Sequence, residues 1–165
     1  MTQISTPSVA GAQPTITEHQ PPSLLPGEYG CISLHEPWVA CIFHHGKRIE
    51  NRTWALPAKY LNTPVLIQAA KHRETVKDAI YWLRQGPAPG LNWGELHFGQ
   101  VVGAVVFTSG HYSDATSKWG MSNRFWWKIG TAWRLNAPFD CRGHQRWWTV
   151  QTTRILERTR CEDHE

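Results

Sequence analysis

Three side chains able to do chemistry stand close together in the run Gly46-Lys47-Arg48-Ile49-Glu50-Asn51-Arg52-Thr53-Trp54. If residues 48–53 are extended, Arg48, Glu50 and Arg52 share one face while Ile49 and Asn51 take the other. A carboxylate flanked by guanidinia stays ionised and well aimed, because arginine grips carboxylate as a rigid fork. Such a glutamate can accept hydrogen bonds from the Watson–Crick edge of a base. It can also act as a general base on water, with Lys47 stabilising the oxyanion that forms. Lys47 and Glu50 are therefore the candidate catalytic pair. A surface ion-pair cluster at a helix-to-strand junction accounts for the same spacing with no chemistry at all.

The remaining candidates are weaker. His44 and His45 are adjacent rather than four apart, and no H-E-x-x-H or Cys/His cluster with ligand spacing occurs, so no metal or other cofactor is expected. His45 and His111 could serve as acid or base near neutral pH. There is neither a nucleophile elbow nor a Walker loop. Lys71 and His72 could contact phosphate; equally, they could open a helix whose dipole Glu74 favours.

Charge and aromatics gather in the second half of the chain. Of 165 residues, 17 are Lys or Arg and 13 Asp or Glu, and the pI is near 9.0. Residues 1–30 hold no base at all. Residues 116–154 carry Lys118, Arg124, Lys128, Arg134, Arg142, Arg146 and Arg154 against the single acid Asp140, with six of the ten tryptophans. Cations that track phosphates, interleaved with rings that stack on bases, form a platform for single-stranded nucleic acid. The same tryptophans could instead simply fill a core.

The elements that must position these groups can be read from periodicity. Residues 1–28, rich in Ser, Thr, Pro, Gln and Gly, read as a disordered leader. A strand is expected over residues 29–34 and a helix over 35–46, with Pro37 in its first turn and Gly46 closing it. A strand at 64–70 precedes a helix at 72–85, where Val76, Ala79, Ile80 and Leu83 repeat on one face. The β-branched run 100–108 reads as a strand covered on both faces, and 111–123 as a loop. Residues 124–135 alternate, with Phe125, Trp127, Ile129, Thr131, Trp133 and Leu135 on one face. The other face holds Arg124, Trp126, Lys128, Gly130, Ala132 and Arg134, and Gly130 marks a possible bulge that resets the register. A last strand spans 145–152, and 153–165 read as a tail. Two early helices and no β-α-β alternation indicate an α+β domain, a small barrel with helices packed on it.

The segments Ile32-Ser33-Leu34-His35-Glu36-Pro37-Trp38 and His45 to Trp54 resemble the N-terminal half of an ASCH domain, within the PUA-like superfamily. The family signature G-x-K-x-x-E-x-R is matched as K-x-x-E-x-R at Lys47, Glu50 and Arg52, with Gly46 directly before the lysine. Val65 to Lys71 resembles the next element of the family. The stretch from Phe125 to Val150, with its turn at 138–143, resembles the closing strands, so the likeness covers about residues 29–152. It implies a small PUA-like β-barrel with flanking helices beside a nucleotide- or RNA-sized pocket lined by the motif. Members of the group bind RNA, cleave RNA or hydrolyse the amide of acetylated cytidine. In the amidohydrolases the motif lysine works with a threonine three positions on and a distant glutamate. Here the threonine position is Glu50, and Glu95 and Asp114 are left for the distant acid by elimination.

The expectation is a binder of single-stranded RNA or a modified nucleoside in a cleft lined by Lys47, Glu50 and Arg52. Trp54 and Trp126 would be aromatic walls, and Lys71, Lys128, Arg134 and Arg142 phosphate contacts. A hydrolase acting on RNA or an N-acylated base through Lys47 and Glu50, and a protein-interaction module, are the competing readings. No apolar run reaches the length of a membrane span, no secretory signal opens the chain, and the four cysteines are widely spaced. A cytoplasmic protein with reduced thiols is expected.

Overall fold

A strand with no polar face must be covered on both sides, which places the run beginning at Gln100 at the centre of the molecule. In the computed structural model, which describes residues 24–73 and 76–152, this run is β4 (Gln100–Ser113). Its Val101, Val102, Ala104 and Val105 are all buried. Ahead of it come β1 (Glu28–Leu34), α1 (Trp38–His44), β2 (Ile49–Arg52), β3 (Pro64–Ala69) and α2 (Val76–Gln85). After it come β5 (Arg124–Asp140) and β6 (Trp147–Gln151). The strands form one mixed sheet in the order β2-β5-β4-β3-β1-β6. Neighbours β1 and β3 are parallel, and the crossover such a pair needs is supplied by α1, β2 and a 3-10 turn at Ala58–Tyr60. The fold is α+β with a strand-rich core.

The end strands β2 and β6 are not paired with each other, so hydrogen bonding among the described strands does not close the sheet into a barrel. The sheet curls instead around a column of rings. Trp147 of β6 stacks on Trp127 of β5 with centroids 5.4 Å apart, Tyr60 stacks on Trp147 at 3.8 Å, and Phe107 and Trp54 meet Trp127 edge-on. Much of the tryptophan content is therefore core. Val39 and Ile42 of α1 cover this inner face, and a second cluster joins α1 to α2 through Cys41, Ile80 and Leu83.

Gly130 is the bulge its place in the sequence suggests. Pairing passes from Val106↔Thr131 to Phe107↔Ile129, which leaves Gly130 unpaired, and the next step skips Thr108. The bulge inverts the alternation of β5. Before it, Phe125, Trp127 and Ile129 face the inner core; beyond it Ala132 does, while Trp133 and Leu135 join the outer cluster with Cys31, Leu66 and Val150. Lys128 and Arg134 consequently leave opposite faces of the strand, and the continuous basic face expected from strict alternation is split.

Several boundaries move for the same reason, pairing. β4 continues through His111 to Ser113 because β5 supplies partners as far as Arg124, so the expected loop starts later. β5 runs to Asp140, with the ladder interrupted between Arg134 and Phe139, where Pro138 has no N–H to donate. His72 and Arg73 lie outside α2; Arg73 is instead spread over the ring of Phe98. The leader and tail expectations fall mostly on residues 1–23 and 153–165, outside the described residues. Residues 25–27 are tied down, with the Gly27 N–H donating to Thr152 Oγ1 and that hydroxyl donating to the carbonyl of Leu25. Among the described residues, no helix is long and apolar enough to cross a membrane.

Candidate functional site

The motif is set by the end of α1. Gly46 takes a left-handed φ of 68°, which lets the Lys47 N–H turn back to the Cys41 carbonyl at 2.9 Å and ends the helix. Arg48 then donates to the free carbonyl of Ile42 at 3.0 Å, a cation at the negative end of the helix. The chain leaves as edge strand β2, pairing Glu50 with Trp127 and Arg52 with Phe125.

Lys47 is only 2% exposed and Glu50 8%. The Lys47 ammonium donates to Glu50 Oε2 and to the Ile49 carbonyl, each at 2.6 Å. The other carboxylate oxygen, Oε1, lies 3.1 Å from Arg52 Nε, an ion pair whose geometry is not that of an aligned hydrogen bond. The Arg52 guanidinium lies 5.2 Å from the centroid of Trp54 and 5.8 Å from that of Trp127. Glu50 thus joins Lys47 to Arg52, as the spacing suggests, but the three do not line one pocket.

Arg52 opens into a cleft of about 1160 Å³. Its walls are Ser33 and His35 at the end of β1, Trp54 after β2, Gln68 and residues 70–72 at the end of β3, Phe98-Gly99, and residues 140–146 between β5 and β6. Four of the seven residues expected to contact nucleic acid meet here: Arg52, Trp54, Lys71 and Arg142. Arg146, His72 and His144 join them, and among the described residues Asp140 is the one acid in the lining. The His35 pKa is lowered by burial and by the neighbouring His72 and Arg52. Gly99 knits the walls together, its N–H bonding Ala69 and its carbonyl accepting from Cys141.

Lys47 and Glu50 line a separate cavity of about 340 Å³, with Trp38, Leu83, Pro87, Trp119 and Met121 among its walls. Asn51 anchors the loop that covers it, donating to the Trp119 carbonyl and accepting from the Met121 N–H, each at 2.8 Å. Trp126 belongs to that support rather than to a wall: it is 9% exposed, packs against Gly120 and donates its indole N–H to the Met121 carbonyl. Lys128 is exposed on β5, away from both cavities. Arg134 lines a third hollow, of about 1040 Å³, with Phe43, His44, Glu95 and His97.

The two acids left by elimination do not join Lys47. Glu95 accepts from His45 at 2.7 Å, and this partner holds its pKa down against the opposing effect of burial. Asp114 is exposed in the β4–β5 loop. His111 is exposed on β4, tilted against Trp126. Among the described residues no group of three or more His, Cys, Asp or Glu is placed to hold a metal ion.

Sequence reasoning missed Ser33, Gln68 and Gly143 in the cleft, and Trp38 and Trp119 around the smaller cavity. Gln68 did carry a signal, as a polar residue inside the apolar run of β3. A scan of the chain against family models finds no match, and a search of curated proteins finds none either.

Proposed function

We propose that this chain is an ASCH-type, PUA-like domain that binds single-stranded RNA or a modified nucleoside in the cleft at the ends of β1 and β3. The observation that carries this reading is the convergence of Arg52, Lys71 and Arg142 with the Trp54 ring on one opening. Cations beside an aromatic wall suit a phosphate chain with a stacked base. The curled sheet supports a PUA-like barrel left open between β2 and β6. Binding is favoured over hydrolysis because Lys47 and Glu50 are buried and spent on each other, with Glu50 holding Arg52 at the cleft. Both residues border the smaller cavity and lie outside the cationic cleft.

Fluorescence anisotropy with a labelled single-stranded RNA, repeated across salt concentrations, tests the reading. Binding should weaken with salt by a log–log slope of roughly −0.7 per phosphate neutralised. Lys71→Glu with Arg142→Glu should remove most of it. A flat salt response, or full binding by that variant, overturns the assignment. Mass spectrometry of total RNA and acylated nucleosides after incubation, with Lys47→Ala alongside, tests the hydrolase. A product that is lost in Lys47→Ala would replace the reader by an enzyme.

A further inference from the structure

The floor of the cleft holds polar atoms that the fold leaves without partners. Gln68 is 1% exposed; its Nε2 donates to the Cys141 carbonyl at 3.1 Å, but its Oε1 accepts nothing. Ser33, its register partner on β1, has a buried hydroxyl that is also unpartnered. Both residues line the cleft. A buried acceptor without a donor is costly, and an apolar residue at position 68 would continue β3 with no such cost. Both atoms are covered, and Gly143 lies against them: a Cβ there would stand 2.5 Å from Gln68 Oε1 and 2.8 Å from Ser33 Oγ, the space a bonding ligand atom would need.

We infer that Gln68 and Ser33 read the hydrogen-bonding edge of a nucleobase, and that a side chain at position 143 would occupy the place of that edge. This rests on the proposed binding function and names the part of the ligand it leaves open. One N–H of the Gln68 amide bonds the Cys141 carbonyl and fixes which end is oxygen; that oxygen can only accept, so the ligand must bring a donor. The Ser33 hydroxyl can donate to an acceptor beside that donor. A base edge offers a donor next to an acceptor, whereas phosphate offers acceptors alone and leaves Gln68 Oε1 without a donor. The ligand is therefore a nucleotide held at both ends: its phosphate at the cationic rim, its base at the floor.

The test is calorimetry on the full chain with the four ribonucleoside 5′-monophosphates and with ribose 5-phosphate, which keeps the phosphate and lacks the base. At least one nucleotide should bind ten or more times tighter than ribose 5-phosphate. Gln68→Leu should erase that preference while leaving the affinity for ribose 5-phosphate within twofold. Gly143→Ala should do the same, and it serves alone should Gln68→Leu not fold. Equal binding of all five probes, or a preference that survives these substitutions, overturns the inference. If none of the five binds while labelled RNA still binds in a salt-sensitive way, the base-reading floor is refuted and the RNA-binding cleft stands. Loss of RNA binding as well refutes both.

Discussion

The two sides of the Glu50 carboxylate have opposite characters. On one side Lys47 is 2% exposed, bonded to Glu50 and the Ile49 carbonyl, and borders a small hollow with several apolar walls. On the other, Arg52 stands beside two tryptophan rings at the wall of a cleft more than three times as large, edged by further cations. One carboxylate thus ties a structural charge to a presented one. The difference teaches that a charged motif need not be a single site. A buried cation is an expense that only a close partner offsets, while a cation at a cleft mouth keeps its water and remains available to a ligand.

Breaking the buried side should have the largest effect. Lys47→Met leaves the buried Glu50 Oε2 without its donor and Arg52 as the remaining cation, at a cost of about 3 kcal/mol. Thermal unfolding should show a fall of roughly 10 °C. Adding Glu50→Leu should recover part of that loss, and a double variant no better than the single one would contradict the pairing. Glu36 sharpens the contrast, because its buried carboxylate is held by the backbone N–H groups of Ala40 and His97 rather than by a cation. Burial raises its pKa to about 7, against the usual 4.5, with the two N–H groups opposing. Between those values the folded chain binds the proton that the unfolded chain has released. The contribution of Glu36 is therefore full below pH 4.5 and is lost as pH rises through 7, by about 3 kcal/mol at most. Melting temperatures of Glu36→Gln across pH 4.5 to 8 should lack this decline, and an unchanged profile would assign it elsewhere.

Changes to the cations on the open side should spare stability and alter binding. Lys71→Glu with Arg142→Glu should lower RNA affinity by at least about tenfold and reduce the salt slope by roughly 1.4, two phosphates' worth, while melting stays near that of the parent. Trp54→Ala should cost about 1–3 kcal/mol of binding through lost stacking, read in the same anisotropy titration. The smallest effects belong to Lys128→Ala and Arg134→Ala. These cations stand outside the cleft, so each should change affinity by less than about twofold, within the range of an isolated surface charge. Losses as large as those at Lys71 and Arg142 would move the interface to β5.

The motif lysine, glutamate and arginine were found from spacing because an extended run places Glu50 and Arg52 on one face and the turn at Gly46 brings Lys47 back to them. Their division between two cavities was not legible. It depends on the loop of Trp119 and Met121 that covers Lys47 and on the chain at 140–146 that meets Arg52, both far away in sequence. Lys71 and Arg142 could each be picked out as cations, but their approach depends on Gly99 bonding both Ala69 and Cys141. Trp126 and Arg134 show the limit of strict alternation: one is absorbed by the loop it supports, the other turned to the far face by the Gly130 bulge.

The amino-acid sequence by itself determined what near neighbours decide: the α+β class, the apolar β4, the end of α1 at Gly46, the bulge at Gly130 and the contact of Lys47 with Glu50. These follow from local periodicity, turn chemistry and charges a few residues apart. Only the tertiary structure decided which cations share a cleft, that Gln68 Oε1 and Ser33 Oγ are buried against Gly143 without partners, and that the described sheet curls without pairing its edges. Those outcomes depend on strand order and ring stacking between segments as distant as Ser33 and Gly143, whose adjacency no spacing along the chain encodes.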